Sequence, residues 1–197
     1  MSLQGVVLYG PPASGKDTVT AALARLDARF VPLPKLKVGT GRADGYEFVS
    51  AEHLDKLRDA GRLLVETRRY GNVYAVDRQT IEDRHAAGYV PVAHMGNIAD
   101  LRQLIGKAPD SWLRVLLWVP REVTEQRSRG RGDADTGKRL TAWDETLADL
   151  ETGTDAGFFH LRLHTDRVGV DAAAEEIMGA YDRLRMAGDP HGAQCPR

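Results

Sequence analysis

The feature that most constrains this chain is a short apolar run followed at once by a glycine-bearing loop and a helix-forming segment. Residues 6 to 9 are continuously apolar and end in glycine and proline, as a strand buried on both faces of a sheet does. Residues 18 to 26 favour a helix. A buried strand joined by a tight loop to a helix is typical of a parallel α/β sheet.

The loop between strand and helix has the spacing of a phosphate-binding loop. Glycines let backbone N–H groups turn toward an anion, and the helix N-terminus adds its positive dipole end. Lys16 is predicted to reach the transferred and bridging phosphates. The alternative is a turn that only caps the first helix and leaves Lys16 exposed. The predicted ATP-binding residues are Gly10, Pro11, Pro12, Ala13, Ser14, Gly15, Lys16, Asp17 and Thr18.

The residue after Lys16 departs from the usual pattern, which has a serine or threonine there. Asp17 holds the position and Thr18 follows. A hydroxyl normally supports Mg²⁺ at this point, so either the Asp17 carboxylate does so or Thr18 contacts a phosphate as the helix begins. Both are candidate metal-binding residues, and the choice between them stays open.

The same alternation continues downstream and predicts an α/β fold with a mostly parallel sheet flanked by helices. Residues 89 to 93, 112 to 119 and 158 to 163 are strand candidates. Ser50, Asp77 and Asn97 are predicted to cap helices that end near Gly61, Gly88 and Gly106, and Asp171 to open the last helix.

Two segments interrupt this alternation within a single predicted domain of residues 1 to 187. Residues 31 to 76 are rich in charge and glycine and predict a small antiparallel insert. Residues 127 to 139 have almost no apolar side chain and indicate a mobile flap. Residues 188 to 197 predict a disordered tail.

Composition excludes several classes of partner. The 197-residue chain has a formal net charge of -1, which supplies no broad positive field for nucleic acid or an anionic membrane. No apolar run is long enough to span a bilayer, and the N-terminus lacks the regions of a signal peptide. Cys195 is the only cysteine, so no internal disulfide can form and a cytoplasmic location is expected. The oligomeric state stays open.

These motifs make the chain resemble the guanylate kinase family and its relative, ribose 1,5-bisphosphate phosphokinase. Residues 44 to 50 are similar to the segment that carries a substrate-binding tyrosine, and residues 64 to 74 to the next acceptor motif. The resemblance implies a P-loop NTPase fold and ATP-dependent phosphoryl transfer. By position, Tyr46 and Tyr74 would contact the acceptor phosphate and Glu66 a base edge.

The resemblance extends to a lid over ATP. Residues 127 to 132 and 138 to 140 are similar to the lid motif and its return arginine, which implies catalytic roles for Arg127, Arg131 and Arg139. A planar guanidinium can clamp phosphate or stack on adenine. The alternative is a solvated charged loop.

Acceptor identity is where the chain departs from the family. In place of an arginine pair before the tyrosine segment it has Lys35, Lys37 and Arg42, and Arg68 and Arg69 could compensate. His94, at a predicted strand end, is a further acceptor-binding candidate. The acceptor is expected to be a phosphorylated small molecule, a nucleoside monophosphate first and ribose 1,5-bisphosphate second. A non-catalytic module that binds a protein ligand is the alternative of another class.

Overall fold

The structure is a computed structural model that describes residues 5–41, 43–69, 71–106, 112–132 and 135–187. Its strands are β1 (Gly5–Tyr9), β2 (Phe30–Pro32), β3 (Lys35–Val38), β4 (Tyr46–Phe48), β5 (Leu63–Arg69), β6 (Asn72–Asp77), β7 (Val90–His94), β8 (Trp112–Trp118) and β9 (Leu161–His164). Its helices are α1 (Lys16–Leu26), α2 (Ala51–Asp59), α3 (Arg78–Ala86), α4 (Ile98–Gly106), α5 (Arg121–Gly130), α6 (Thr136–Gly153) and α7 (Val170–Ala187).

The main sheet is parallel and has the order β2-β7-β1-β8-β9, with β1 in its centre. Val6, Val7, Leu8 and Tyr9 are all fully buried, because helices cover both faces of this strand. Val6 and Leu8 pack with residues of α1 and α7, whereas Val7 and Tyr9 pack with residues of α4. The predicted α/β fold with a mostly parallel sheet is therefore confirmed.

A second sheet, with the order β4-β3-β6-β5, forms the insert. β6 runs antiparallel to β3 and to β5, but β3 and β4 are parallel, so the insert is a mixed sheet and not the purely antiparallel one expected. Leu54 and Leu57 of α2 cover one face of this sheet by packing on Leu36 and Ala75. The other face is left to the cleft between the insert and the main sheet.

Side-chain caps begin three helices at the predicted residues. Ser50 accepts a hydrogen bond from the backbone N–H of His53, and Asp77 accepts one from Gln79. The Asn97 side chain accepts one from the N–H of Asp100. Each cap satisfies an otherwise unpaired N–H of the first turn, which is why these positions could be read from the sequence.

The last strand starts later than expected. β9 covers Leu161–His164, and residues 158 to 160 lie outside it. The Phe159 ring stacks on the Tyr9 ring, with the ring centroids 5.8 Å apart. Packing of this aromatic side chain in the core accounts for an apolar run that resembled a longer strand.

The described part of residues 127 to 139 is more regular than the expected flap. It contains the end of α5 and the start of α6, and residues 133 and 134 lie outside the described residues. The polar composition of the described part reflects exposed helix surfaces. No helix among the described residues is long and apolar enough to cross a membrane. The predicted tail, residues 188 to 197, lies outside the described residues.

Candidate functional site

The loop between β1 and α1 has a backbone that only particular residues tolerate. Gly10 and Gly15 both have positive φ, at 154° and 87°. A Cβ on Gly10 would lie 2.0 Å from the carbonyl oxygen of Leu117, so no other residue fits there. Ala13 also has a positive φ of 60°, a conformation that an alanine rarely adopts. The loop therefore holds a shape that its own local preferences do not favour.

Side chains of α5 and of the residue after β9 fix this shape by binding the loop's carbonyl oxygens. The Thr124 hydroxyl donates to the carbonyl of residue 12 at 3.1 Å, and Arg127 Nη1 donates to that of residue 13 at 2.9 Å. The Thr165 hydroxyl donates to the carbonyl of residue 14 at 2.9 Å. These hydrogen bonds hold the loop backbone from outside, as a loop whose N–H groups bind an anion requires. Neither threonine belongs to a recognisable motif, and sequence reasoning missed both.

Lys16 lies within the loop, and its ammonium group donates hydrogen bonds to the loop itself. The distances from Nζ are 2.7 Å to the carbonyl oxygen of Gly10, 3.0 Å to that of Pro11 and 3.3 Å to Ser14 Oγ. Burial lowers the pKa of Lys16 to about 8, and the charge of Lys35 acts in the same direction. A phosphate bound here would stabilise the charged ammonium group and so offset the cost of burying it.

The two residues after Lys16 point into different cavities. Thr18 lines a cavity of about 260 Å³ with Gly15 and Arg131, whereas Asp17 lines a cavity of about 400 Å³ on the insert side. Successive helical side chains are about 100° apart around the axis, which separates the two. The sequence had left Asp17 and Thr18 as alternatives for one position.

The cavity lined by Thr18 contains two of the three predicted lid arginines. Arg127 and Arg131 line it together with Thr165, which follows β9. Arg127 also donates to the Thr165 carbonyl at 2.6 Å, so it is part of the wall around the loop. Arg139 lies in the first turn of α6 and is not among the described residues that line this cavity.

The cleft face of the insert carries a lysine surrounded by aromatic rings. Lys37 Nζ lies 5.0 Å from the ring centroid of Tyr46, 4.9 Å from that of Phe48 and 5.7 Å from that of Tyr74. The two tyrosine rings are themselves 5.2 Å apart. Only 2% of Lys37 is exposed, and cation–π attraction offsets part of the cost of burying its charge. Three of the predicted acceptor-binding residues therefore lie together.

His94 lies at the end of β7 and joins the same cleft. It lines the 400 Å³ cavity with Asp17, Lys35 and Tyr46. Its Nε2 is 2.8 Å from the Thr20 hydroxyl and its Nδ1 is 3.5 Å from the Asp17 carboxylate. One cavity thus connects the start of α1 with the aromatic cluster of the insert.

Glu66 does not lie on this face, which corrects the expectation that it joins Tyr46 and Tyr74. Its carboxylate pairs with Arg58 of α2 at 2.7 Å, and Arg58 holds the pKa of that carboxyl below its usual range. Glu66 is opposite Ala75 in the ladder, on the face that α2 covers. Thr67, the next residue, is opposite Tyr74 and therefore faces the cleft.

A shift in the register between β5 and β6 explains why Glu66 lies on the face that α2 covers. Leu63 is opposite Asp77 but Val65 is opposite Val76, so β5 has one extra residue at this point. Such a bulge moves every later side chain to the other face of the sheet. Leu63 accordingly packs near α2, while Leu64 and Val65 both pack in the core beneath α4.

Arg68 does not join the acceptor cluster. Arg68 is largely exposed and lies 3.6 Å from Glu66, on the α2 face, because it follows the same bulge. Arg42 lies outside the described residues. Arg69 does face the cleft and pairs with Glu145, which links the insert to α6.

The β1–loop–α1 unit in the centre of a parallel sheet, with a separate insert across a cleft, defines a P-loop kinase. A guanylate kinase from Synechococcus sp. is 33% identical over 168 residues, covering 81% of this chain and 87% of that protein. The chain belongs to the guanylate kinase family and is an ATP-dependent kinase. This finding disfavours the non-catalytic module. No protein family model matches the chain.

Solved structures support the fold. The guanylate kinase of Anaplasma phagocytophilum superimposes with a TM-score of 0.66 at 16% identity, covering 94% of this chain and 87% of that one. The shikimate kinase of Acinetobacter baumannii superimposes with a TM-score of 0.51 at 16% identity, covering 93% of this chain and 96% of that one. Both are P-loop kinases by fold, and at this identity the likeness does not extend to the acceptor.

Proposed function

We propose that this kinase transfers the γ-phosphoryl group of ATP to the phosphate of a nucleoside monophosphate. The observation that carries the proposal is the 400 Å³ cavity that runs from Asp17, beside the phosphate-binding loop, to Tyr46 of the insert. Two tyrosine hydroxyls and a lysine suit an acceptor phosphate, and that phosphate would then face the donor across the cleft.

The donor would occupy the opposite side of α1. Loop N–H groups and Lys16 would hold the β- and γ-phosphates, and Lys16 would offset charge that develops on the transferred group. Adenine and ribose would lie in the cavity lined by Thr18, Arg127 and Arg131. Arg139 would join them from α6 if α5 and α6 close over ATP as a lid.

The residues at the start of α1 fit a Mg²⁺ ion bound with ATP. The Asp17 side chain is 70% exposed at the cavity, and carboxylate and hydroxyl oxygens are ligands that Mg²⁺ accepts. Because the two side chains line different cavities, one of them would hold the ion: Asp17 from the acceptor side or Thr18 from the donor side. Mg²⁺ would neutralise charge on the phosphates.

The placement of Glu66 favours a second candidate acceptor, ribose 1,5-bisphosphate. With Glu66 on the α2 face, the cleft face of β5 offers Thr67, whose hydroxyl donates to Asp100 at 2.5 Å. A carboxylate that accepts from a guanine edge is thus missing from that position. A phosphorylated sugar needs no such group, and Lys35, His94 and Asp17 provide polar contacts for hydroxyls and a second phosphate.

A coupled assay of ADP release decides between the two acceptors. The four common nucleoside monophosphates and ribose 1,5-bisphosphate are each supplied with ATP and Mg²⁺, with ATP alone as the control. Turnover with one or more monophosphates, well above that with the sugar, supports the first proposal. Turnover with the sugar bisphosphate alone replaces it with the second, and no turnover with any of the five contradicts both.

A further inference from the structure

Tyr9, the last residue of β1, directly precedes the phosphate-binding loop. It is opposite Leu116 in the β1–β8 pair, but the pairing between β1 and β7 ends at Leu8, one residue earlier. The backbone of β1 therefore loses one of its two neighbouring strands just where the loop begins. The side chain of Tyr9 is fully buried on the face of the sheet that α4 covers. Contacts of this side chain must supply the support that the sheet no longer gives.

The Tyr9 side chain is held at both its ring and its hydroxyl group. The ring stacks on that of Phe159, with the ring centroids 5.8 Å apart. The hydroxyl group donates a hydrogen bond of 2.8 Å to Oδ2 of Asp149, which belongs to α6. Burial and the Asp149 carboxylate both raise the pKa of Tyr9, so the hydroxyl group keeps its proton at neutral pH and donates it to this bond.

Asp149 accepts a second hydrogen bond with the same oxygen. The backbone N–H of Ile98, the first residue of α4, donates to Asp149 Oδ2 at 2.7 Å. This bond satisfies one of the first-turn N–H groups for which a helix has no partner of its own. α6 is itself anchored, because the indole N–H of Trp143 donates to the carbonyl oxygen of Val119 at 2.9 Å. Asp149 thus joins β1 and α4 to a helix whose position is already fixed.

A displacement of Tyr9 reaches the loop through Gly10. The carbonyl oxygen of Gly10 accepts a hydrogen bond of 2.7 Å from Lys16 Nζ. A Cβ on Gly10 would lie 2.0 Å from the carbonyl oxygen of Leu117, so the backbone of Gly10 lies directly against β8 and has little room to move. Movement of Tyr9 is therefore passed on to the loop backbone, and with it to the position of Lys16.

We propose that Asp149 is a positioning residue for the kinase reaction, which acts through Tyr9 to hold the phosphate-binding loop in the conformation that binds ATP. The inference rests on the donor site of the proposed function and does not depend on which acceptor is used. Asp149 needs no contact with either substrate in this role. One turn earlier on α6, Glu145 pairs with Arg69 of the insert, so the same helix also fixes the loop relative to the acceptor side of the cleft.

The test is a double-mutant cycle on ATP binding, which requires no acceptor. Calorimetry with Mg²⁺ measures the ATP affinity of the wild type, Tyr9→Phe, Asp149→Ala, the double variant with both changes, and Asp149→Asn. Tyr181→Phe is the matched control, because Tyr181 is also a buried tyrosine, 4% exposed, and packs on the opposite face of the sheet. Denaturant unfolding of each variant measures its stability separately.

Tyr9→Phe and Asp149→Ala should each weaken ATP binding by about 5-fold or more, as expected when a hydrogen bond to a charged group is lost. The double variant should bind ATP no more weakly than Asp149→Ala, because both changes remove the same bond. Asp149→Asn should stay within about 2-fold of the wild type, since its amide oxygen can accept both hydrogen bonds. Tyr181→Phe should bind ATP as the wild type does.

A purely structural role would lower the stability of Tyr9→Phe and Asp149→Ala at unchanged ATP affinity, and that result overturns the proposal. So does a double variant in which the two losses multiply, or a loss of ATP affinity in Asp149→Asn or Tyr181→Phe that equals the loss in Tyr9→Phe. Should Asp149→Ala fail to fold, the comparison of Tyr9→Phe with Asp149→Asn decides by the same criteria. Failure of the proposed function is seen separately, as absence of ADP release from the wild type with every acceptor while ATP still binds.

Discussion

The carboxylate of Glu66 lies 2.7 Å from the guanidinium of Arg58, on the side of the insert that faces away from Tyr46 and Tyr74. This ion pair joins β5 to α2 across the hydrophobic cluster of Leu54 and Leu57. Glu66 is therefore a structural residue of the insert, and side chains on the cleft face, not Glu66, are placed to contact an acceptor.

Glu66→Gln should leave kcat/KM for the acceptor within about 2-fold of the wild type, because no acceptor contact is removed. It should lower the free energy of unfolding by about 1 kcal/mol at neutral pH. Since Arg58 lowers the folded-state pKa of Glu66, that contribution is present above the unfolded value of about 4.3 and is lost as pH falls through the folded value. Denaturant melts between pH 3 and 7 measure it. A large loss of activity at unchanged stability would show instead that Glu66 contacts the acceptor.

Lys16→Met should reduce turnover by about 10²-fold or more while the fold is retained, because the charge acts on the transferring phosphoryl group. The lowered pKa of about 8 also has a consequence for stability. Relative to Lys16→Met, the wild type should gain stability as pH rises from 8 toward about 10.4, where only the unfolded chain keeps the proton. Unfolding monitored by circular dichroism over this range checks that the stability difference between the two proteins rises with pH. Wild-type turnover in the variant would contradict the central assignment.

Thr165→Val should weaken ATP binding by about 5- to 20-fold, because the carbonyl of Ser14 loses its hydrogen bond and the loop is held less firmly in its binding conformation. Acceptor KM should not change. Thr152→Val is the control, since the Thr152 hydroxyl donates to the Ala148 carbonyl within α6, on its exposed side. Calorimetric titration with ATP measures the effect, and equal affinities for the two variants would show that the loop holds its shape unaided.

Tyr74→Phe should raise the acceptor KM by about 5-fold or more, since the ring still packs on Tyr46 but the hydroxyl donor is gone. The KM for ATP should stay the same. Tyr89→Phe, at an exposed position before β7, is the matched control. Initial rates with each substrate varied in turn provide the measurement. Parallel changes in both KM values would place Tyr74 outside the acceptor site.

The sequence by itself determined the centre of the molecule. A strand that is apolar at every position must be covered on both faces, and Gly10, Gly15 and Lys16 follow it at the spacing that a bound phosphate requires. The helix caps at Ser50 and Asp77 could also be predicted from the sequence, because capping depends on a few neighbouring residues. These features are local, so neighbouring residues suffice to predict them.

The tertiary structure decided what depends on distant residues or on register. Thr124 and Thr165 meet the loop from positions more than 100 residues away, and no local pattern marks them. The extra residue in β5 is visible only in the pairing with β6. It places Thr67 on the cleft face, where Glu66 was expected. Strand alternation has a period of two, so one inserted residue reverses every assignment that follows it, and a sequence read without its partner strand cannot reveal that reversal.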